Sequence, residues 1–354
     1  MLFGLIVCFV AAVAATFLAG LQHWVGGPML GLVIGILLAN LLPAAFVKKS
    51  KKGAAFSSKL ILRAGIIITG GTLSFTTIVG AGSSALPYII LSIIFAFVTA
   101  CLVGKFLIPV TTNTRILVAG GTSICGGTAI ATLAGVLDAD EDEMAYAMAA
   151  IFLFDLFATL IWPYVALGMD FSPEQFSVLA GIAINDVASV TAAGATFDSL
   201  LGAAAISADG VTTGGELAVV VKLTRVVMLV FVALAVMIWS VWNKGKSEAQ
   251  ENAGGKSAVS KIISAFPVFI LGFLGLAVIN TFVDFSGIAL FGTTLAKLMK
   301  TVSKFCITMA LVGVGAKINL KDMLTKGIKP VLLGGCTWLI VAIFTFSYVT
   351  FFMK

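Results

Sequence analysis

The feature that most constrains this chain is where its charges are missing. No Asp, Glu, Lys or Arg occurs before Lys48, none lies between Arg63 and Lys105, and none between Arg115 and Asp138. At a rise of about 1.5 Å per residue, each of these stretches is long enough, as a helix, to cross a hydrocarbon layer of about 30 Å. The apolar runs are continuous rather than alternating, which excludes a closed β-barrel. What remains is a set of helices, whose backbone hydrogen bonds are satisfied inside each segment. Composition agrees, with 60% hydrophobic and only 11% charged residues where a soluble domain carries about 25% charged. The expected fold class is therefore all-α, a polytopic membrane protein.

Apolar windows fall near 2–19, 27–43, 60–79, 86–104, 116–136, 144–168, 176–196, 217–242, 262–283, 303–316 and 329–351. If 116–136 and 176–196 each cross, there are eleven membrane segments; if each turns back, there are nine and the acidic loop Asp138–Glu143 is cytoplasmic. The polar linker 243–261 is the one candidate boundary, and it reads as a cytoplasmic connection within a single membrane domain spanning 1–354. The first apolar run lacks a basic leading region, so it is expected to be a retained helix rather than a signal peptide.

The net charge of +6 does not describe a nucleic-acid surface, because the basic residues sit in short loops between apolar spans. That distribution follows the positive-inside rule. Lys48, Lys49, Lys51 and Lys52 place 44–58 in the cytoplasm, and with it the N-terminus, the linker 243–261, and the loop carrying Lys321, Lys326 and Lys329. Loops 80–85 and 197–216 have no Lys or Arg and fall outside; Lys297, Lys300 and Lys304 are the exception to the pattern. His23 and Trp24 read as an external interfacial turn. The five cysteines are scattered without a CxxC pair, which suggests neither disulfides nor zinc, and no GxxxxGK[ST] loop is present to use ATP.

Two polar interruptions carry the chemistry. Residues 119–128 read Ala-Gly-Gly-Thr-Ser-Ile-Cys-Gly-Gly-Thr. Four glycines weaken a helix by roughly 0.8–1 kcal/mol each relative to alanine. Unwound backbone at membrane depth is tolerated only where it is buried in protein or lines a cavity. One reading is a discontinuous helix whose second half starts near Gly126, Gly127 and Thr128 and offers free N–H groups to an anion. Gly121, Thr122, Ser123 and Cys125 would complete that cradle. The other reading is a small-residue packing seam.

The second interruption places Asn185, Asp186 and Ser189 within 176–196. An intramembrane Asp costs about 2.5–3.5 kcal/mol on insertion scales, so it should face a cavity or a partner. Asp186 is a candidate for binding a coupling cation, for exchanging a proton, or for pairing with Lys222 and Arg225, which lie three residues apart on one helix face. Lys222 and Arg225 are candidates for electrostatic attraction or gating, and Asn185 and Ser189 for binding the solute. Asp155, among aromatics, is either a proton site or a hydrogen-bonded structural residue, and Lys317, near a span end, either snorkels to headgroups or serves in gating. Internal similarity adds to this: Ser58-Lys59 to Gly70-Gly71-Thr72 parallels Ser303-Lys304 to Gly315-Ala316-Lys317, and Val118-Ala119-Gly120 parallels Leu179-Ala180-Gly181. Such self-similarity is what inverted-repeat carriers display.

On Leu62-Arg63-Ala64-Gly65-Ile66, Gly120-Gly121-Thr122-Ser123-Ile124-Cys125-Gly126, Ala192-Ala193-Gly194 and Val221-Lys222-Leu223-Thr224-Arg225-Val226, the chain resembles the YeiH-like family of proposed bacterial sulfate exporters. The resemblance implies an inverted-repeat secondary carrier related to sodium/proton antiporters and bile-acid-type symporters. It would have two interrupted helices, a mobile core domain, and a scaffold domain that often forms a homodimer. It also implies a bacterial inner-membrane location and small oxyanions such as sulfate, sulfite or sulfonates as substrates. The chain departs from the family at Asn185, Asp186 and Ser189, where relatives have His followed by an acid and later Gln. It departs again at Thr72, where relatives carry Arg, and at Asp155, where a small residue is usual.

The expected function is thus secondary active transport of a small anion, export being favoured by the resemblance alone. No cofactor is expected; coupling to H+ or Na+ would supply the drive. A cation/proton antiporter using Asp186 and Asp155 is the alternative. Enzymatic activity is not expected, because no His lies near Ser123 or Cys125 to activate either as a nucleophile.

Overall fold

The computed structural model describes residues 1–21, 27–207, 212–244, 269–283, 285, 287–290, 293–317 and 328–353, with the backbone alone at 141, 203, 241, 243, 244, 289 and 290. His23, Trp24, the linker from 245 onward, the start of the 262–283 span, and Lys321 and Lys326 lie outside the described residues. The chain is helical nearly throughout, as expected for an all-α polytopic membrane protein. Its elements are α1 (Leu2–Leu21), α2 (Gly27–Leu41), α3 (Ala44–Phe56), a π turn (Ser57–Ile61), α4 (Leu62–Gly70), α5 (Phe75–Phe106), α6 (Thr112–Ser123) and α7 (Gly127–Leu137). They continue as α8 (Glu141–Gly168), α9 (Pro173–Ala183), α10 (Val187–Leu201), α11 (Gly214–Lys244), α12 (Phe269–Val283), α13 (Leu295–Gly315) and α14 (Ile328–Phe352). A two-residue ribbon, β1 (Ala289–Leu290) with β2 (Thr293–Thr294), precedes α13.

Local chemistry sets several ends, and some differ from expectation. The lysine-rich 44–58 is helix α3 rather than a loop, running through the π turn into α4, with Lys48, Lys49, Lys51 and Lys52 exposed. Residues 80–85 lie inside α5; the chain breaks earlier, at Gly71–Ser74, where the Ser74 side chain accepts the Thr77 N–H at 3.1 Å and starts α5. A hydropathy window places that break too late because Thr76–Gly82 is itself apolar enough to read as membrane. Ser172 and Gln175 form a capping box that starts α9.

Helix directions follow from side-chain pairs. Tyr88 and Phe95 of α5 meet Tyr348 and Phe344 of α14, so these two helices are antiparallel. Phe154 and Trp162 of α8 meet Trp338 and Phe346 of α14, so those two are parallel. Hence α5 and α8 run in opposite directions, and the chain between them must return to the end it left. It does so as a helical hairpin. A methyl built on Gly120 would strike Leu133, and one on Gly121 would meet Ile130, so α6 and α7 lie side by side. Asn113 at the start of α6 donates to Glu143 at the start of α8 at 3.2 Å, and Thr111 donates to the same carboxylate.

Residues 173–201 form a second hairpin. The Phe176 and Phe197 rings stack at 3.8 Å with an interplanar angle of 1°, joining the first turn of α9 to the last of α10. Gly214, at the start of α11, packs on both Phe197 and Pro173. Both interrupted segments are therefore re-entrant. Among the described residues, seven helices or helix runs are long and apolar enough to cross (α1, α3–α4, α5, α8, α11, α13 and α14), and α2 and α12 are shorter apolar helices. This matches the nine-segment alternative and puts Asp138–Glu143 on the side of the Lys105–Arg115 loop.

Two packing groups result. In the first, α2 runs along α13 through Gly31, Gly35 and Gly315, where glycine lets the backbones approach, and α1, α3, α4 and α12 complete the group. Its pseudo-symmetry is visible across the α4–α13 contact. Thr69 and Ser303 share a 2.5 Å hydrogen bond at one end, while Gly313 packs on Ser57 and Ser58 at the other. Ser58 and Ser303 are equivalent under the repeat, and Gly313 lies one residue before Val314, the counterpart of Thr69. The second group holds both hairpins with α5, α8, α11 and α14. Hairpin α6–α7 followed by α8, and hairpin α9–α10 followed by α11, enter from opposite ends, which is an inverted pair.

Candidate functional site

The two hairpins meet tip to tip in the middle of the second group. The first turns at Ile124–Gly126, where Gly126 has φ 66° and ψ −120°. Side chains rarely adopt that conformation, so glycine is required here. The second breaks at Ile184–Asp186, with Ile184 and Asp186 both extended. A Cβ on Gly126 would stand 3.9 Å from the Asp186 Cβ.

Four half-helices ending at mid-depth leave their terminal carbonyl and N–H groups without intrahelical partners. The carbonyl ends of α6 and α9 are met by α11 and α14. Arg225 donates to the Ile182 carbonyl at 2.5 Å and to the Thr122 carbonyl at 2.9 Å, bridging both hairpins. Lys222 donates to the Ile184 carbonyl at 2.6 Å, and the Trp338 indole to the Ala183 carbonyl at 2.9 Å. Each helix C-terminus carries about half a negative charge and so favours a cation beside it. Lys222 and Arg225 are fully buried, and among the described residues neither forms an ion pair with Asp186.

The N–H ends are treated differently from one another. Asp155 Oδ1, from α8, accepts the Asn185 N–H at 2.6 Å and the Asp186 N–H at 3.0 Å. Asp186 Oδ2 accepts the Ala188 N–H at 2.9 Å and caps α10. The Cys125 thiol reaches only the Ala129 N–H, and Gly126, before α7, has no side chain to cap the helix start. Around it lie polar groups with no partner among the described residues: the Thr122 and Ser123 hydroxyls and both ends of the Asn185 amide. Asn185 is 1% exposed and the two hydroxyl residues are fully buried. Buried polar groups are nearly always hydrogen-bonded, since leaving one unpaired costs about 1–3 kcal/mol. Such a cluster beside an uncapped helix N-terminus is chemically suited to receiving an acceptor-rich solute.

Most of the residues singled out from sequence come together here. Cys125 is buried in the turn, Ser189 lies beside Asp155, and Gly127, Thr128 and Asp186 keep some exposure. The glycines divide the work of the hairpin: Gly120 and Gly121 let α6 pack on α7, whereas Gly126 makes the turn. Lys317 stands apart, exposed just after α13, within electrostatic reach of Lys59 and Asp186. Sequence reasoning missed Trp338. The available signal was a tryptophan near the middle of the 329–351 span, away from the interfacial belts where tryptophan is usual.

The family described as conserved hypothetical protein 698 matches residues 3–334. A UPF0324 membrane protein of Fusobacterium nucleatum is 35% identical over 350 residues, covering 97% of this chain and 95% of the relative. One from Streptococcus mutans is 34% identical, covering 96% and 94%, and one from Streptococcus pneumoniae 33%, covering 98% and 96%. These names describe membrane proteins and specify no solute.

Proposed function

The chain belongs to the conserved hypothetical protein 698 family of UPF0324 membrane proteins, and we propose that it is a secondary active transporter of a small anion. The observation that carries this reading is the tip-to-tip meeting of two re-entrant hairpins, with one N-terminus uncapped and an unpartnered Asn185 and Ser123 beside it. Half-helix ends at mid-depth are how carriers build solute sites out of backbone dipoles. In this reading Gly126, Gly127 and Thr128 cradle the anion, Asn185 and Ser123 fix it, and Asp186 is the coupling residue for H+ or Na+. Lys222 and Arg225 hold the tips together rather than attract solute directly. The hairpin group slides against the α1–α4, α12 and α13 group, in an elevator-like alternating access, with the latter forming a homodimer. Sulfate, sulfite or sulfonate export from the cytoplasm across a bacterial inner membrane, with the N-terminus cytoplasmic, is the specific form proposed. No enzymatic step is assigned.

Cation/proton antiport is the second reading, favoured by Asp155 and Asp186 converging on one break. Proteoliposome flux separates the two. Anion transport predicts saturable uptake of labelled sulfite or a small sulfonate that Asp186→Asn abolishes. Cation exchange indifferent to every added oxyanion would overturn it.

A further inference from the structure

At the external end, a cavity of about 140 Å³ separates the two packing groups. One wall is α4 and α13, with Thr69, Thr72, Lys300, Ser303 and Lys304; the other is α10 and α11, with Thr191, Asp198, Thr213 and Glu216.

The acids in this cavity are satisfied mainly by their own unit, with Thr72 adding a 3.4 Å bond to Glu216 from across the gap. Asp198 accepts from the Thr213 hydroxyl at 2.7 Å and the Gly215 N–H at 2.9 Å. Glu216 accepts the Thr213 N–H at 3.0 Å, in the first turn of α11, where the helix dipole favours a carboxylate. The lysines are not. Lys300 pairs with Glu216 at 3.0 Å across the gap, but its side chain is 48% exposed, which makes the pair weak. The Lys304 ammonium forms no ion pair among the described residues. Lys300–Glu216 is also the one ion pair there, and it joins the α13 wall to the α11 wall.

We propose that this cavity is an outward-facing binding site for a compact oxyanion. The anion takes Lys300 over from Glu216 and engages Lys304. Glu216 keeps its place on α11 through Thr213. Anion binding thereby releases the cross-group pair, freeing the hairpin group to move. The inference goes beyond the transporter reading by naming an external site, on the release side for export, and it rests on that reading only for the movement.

The test is binding of inorganic sulfate and of a two-carbon sulfonate to the purified full chain in nanodiscs, by calorimetry and thermal unfolding. Saturable binding is expected, weakened about tenfold or more in Lys304→Gln through loss of a charge-assisted bond. Glu216→Gln should bind more tightly, because a competitor is gone, and Lys297→Gln should match the parent chain. Acylation of lysines in the unmutated chain, read by mass spectrometry, gives a second measure: oxyanion should protect Lys300 and Lys304 but not Lys297. No binding, equal binding by Lys304→Gln, or weaker binding by Glu216→Gln overturns the proposal. Oxyanion binding without flux in proteoliposomes would leave this site standing and sink the transporter reading instead. Flux insensitive to Lys304 would do the reverse.

Discussion

Arg225 donates to the backbone carbonyl of Thr122 at 2.9 Å, and through its second terminal nitrogen to Ile182. One planar guanidinium thus ties together the last turns of two helices that enter the molecule from opposite ends. The fork geometry is what makes this possible, since an ammonium offers no fixed pair of diverging donors.

Arg225→Lys should therefore leave at least one buried carbonyl unpaired and cost about 1–3 kcal/mol. Thermal unfolding of the purified protein should show a clear drop. An unchanged midpoint would mean the two tips are held by other contacts.

Gly126→Ala puts a side chain at φ 66° and ψ −120° and should cost on the order of 1–3 kcal/mol. Gly135→Ala, in α7 with open space around its Cβ position, should be neutral or stabilise by up to about 1 kcal/mol. The pair of unfolding curves tests whether the turn needs glycine for its backbone; equal effects at both positions would argue against it.

Asp155→Asn keeps an oxygen for the Asn185 and Asp186 N–H groups, so the fold should survive while coupled transport falls. Asp155→Leu removes the acceptor and orphans two buried donors, about 1–3 kcal/mol each. The contrast is read from expression, unfolding and flux together. Wild-type flux in Asp155→Asn would reduce Asp155 to a structural cap.

The re-entrant reading predicts sidedness. In a background free of native cysteines, Leu107→Cys and Ala139→Cys, at the two ends of the first hairpin, should react with an impermeant maleimide from the same side. Met169→Cys, before the second hairpin, should react from the other side. Labelling of 107 and 139 from opposite faces would show that 112–137 crosses.

The sequence by itself determined that this chain is a bundle of membrane helices, because uncharged runs of that length have no other stable backbone solution in lipid. It also located the two chemical interruptions, since Gly120–Thr128 and Asn185–Ser189 are polar where polarity is costly. Only the tertiary structure decided whether those interruptions cross or turn back. Hydropathy measures depth preference and carries no direction, whereas the Phe176–Phe197 and Gly120–Leu133 contacts do. The partners of Lys222 and Arg225 were hidden for a related reason. They are backbone carbonyls, which every residue owns, so no side-chain pattern announces them. The cavity between the two groups was half visible: Lys300 and Lys304 broke the positive-inside pattern, and what they face depends on residues of α10 and α11 that lie far earlier in the chain. Sequence separation sets no distance once helices pack, and packing alone brought those walls together.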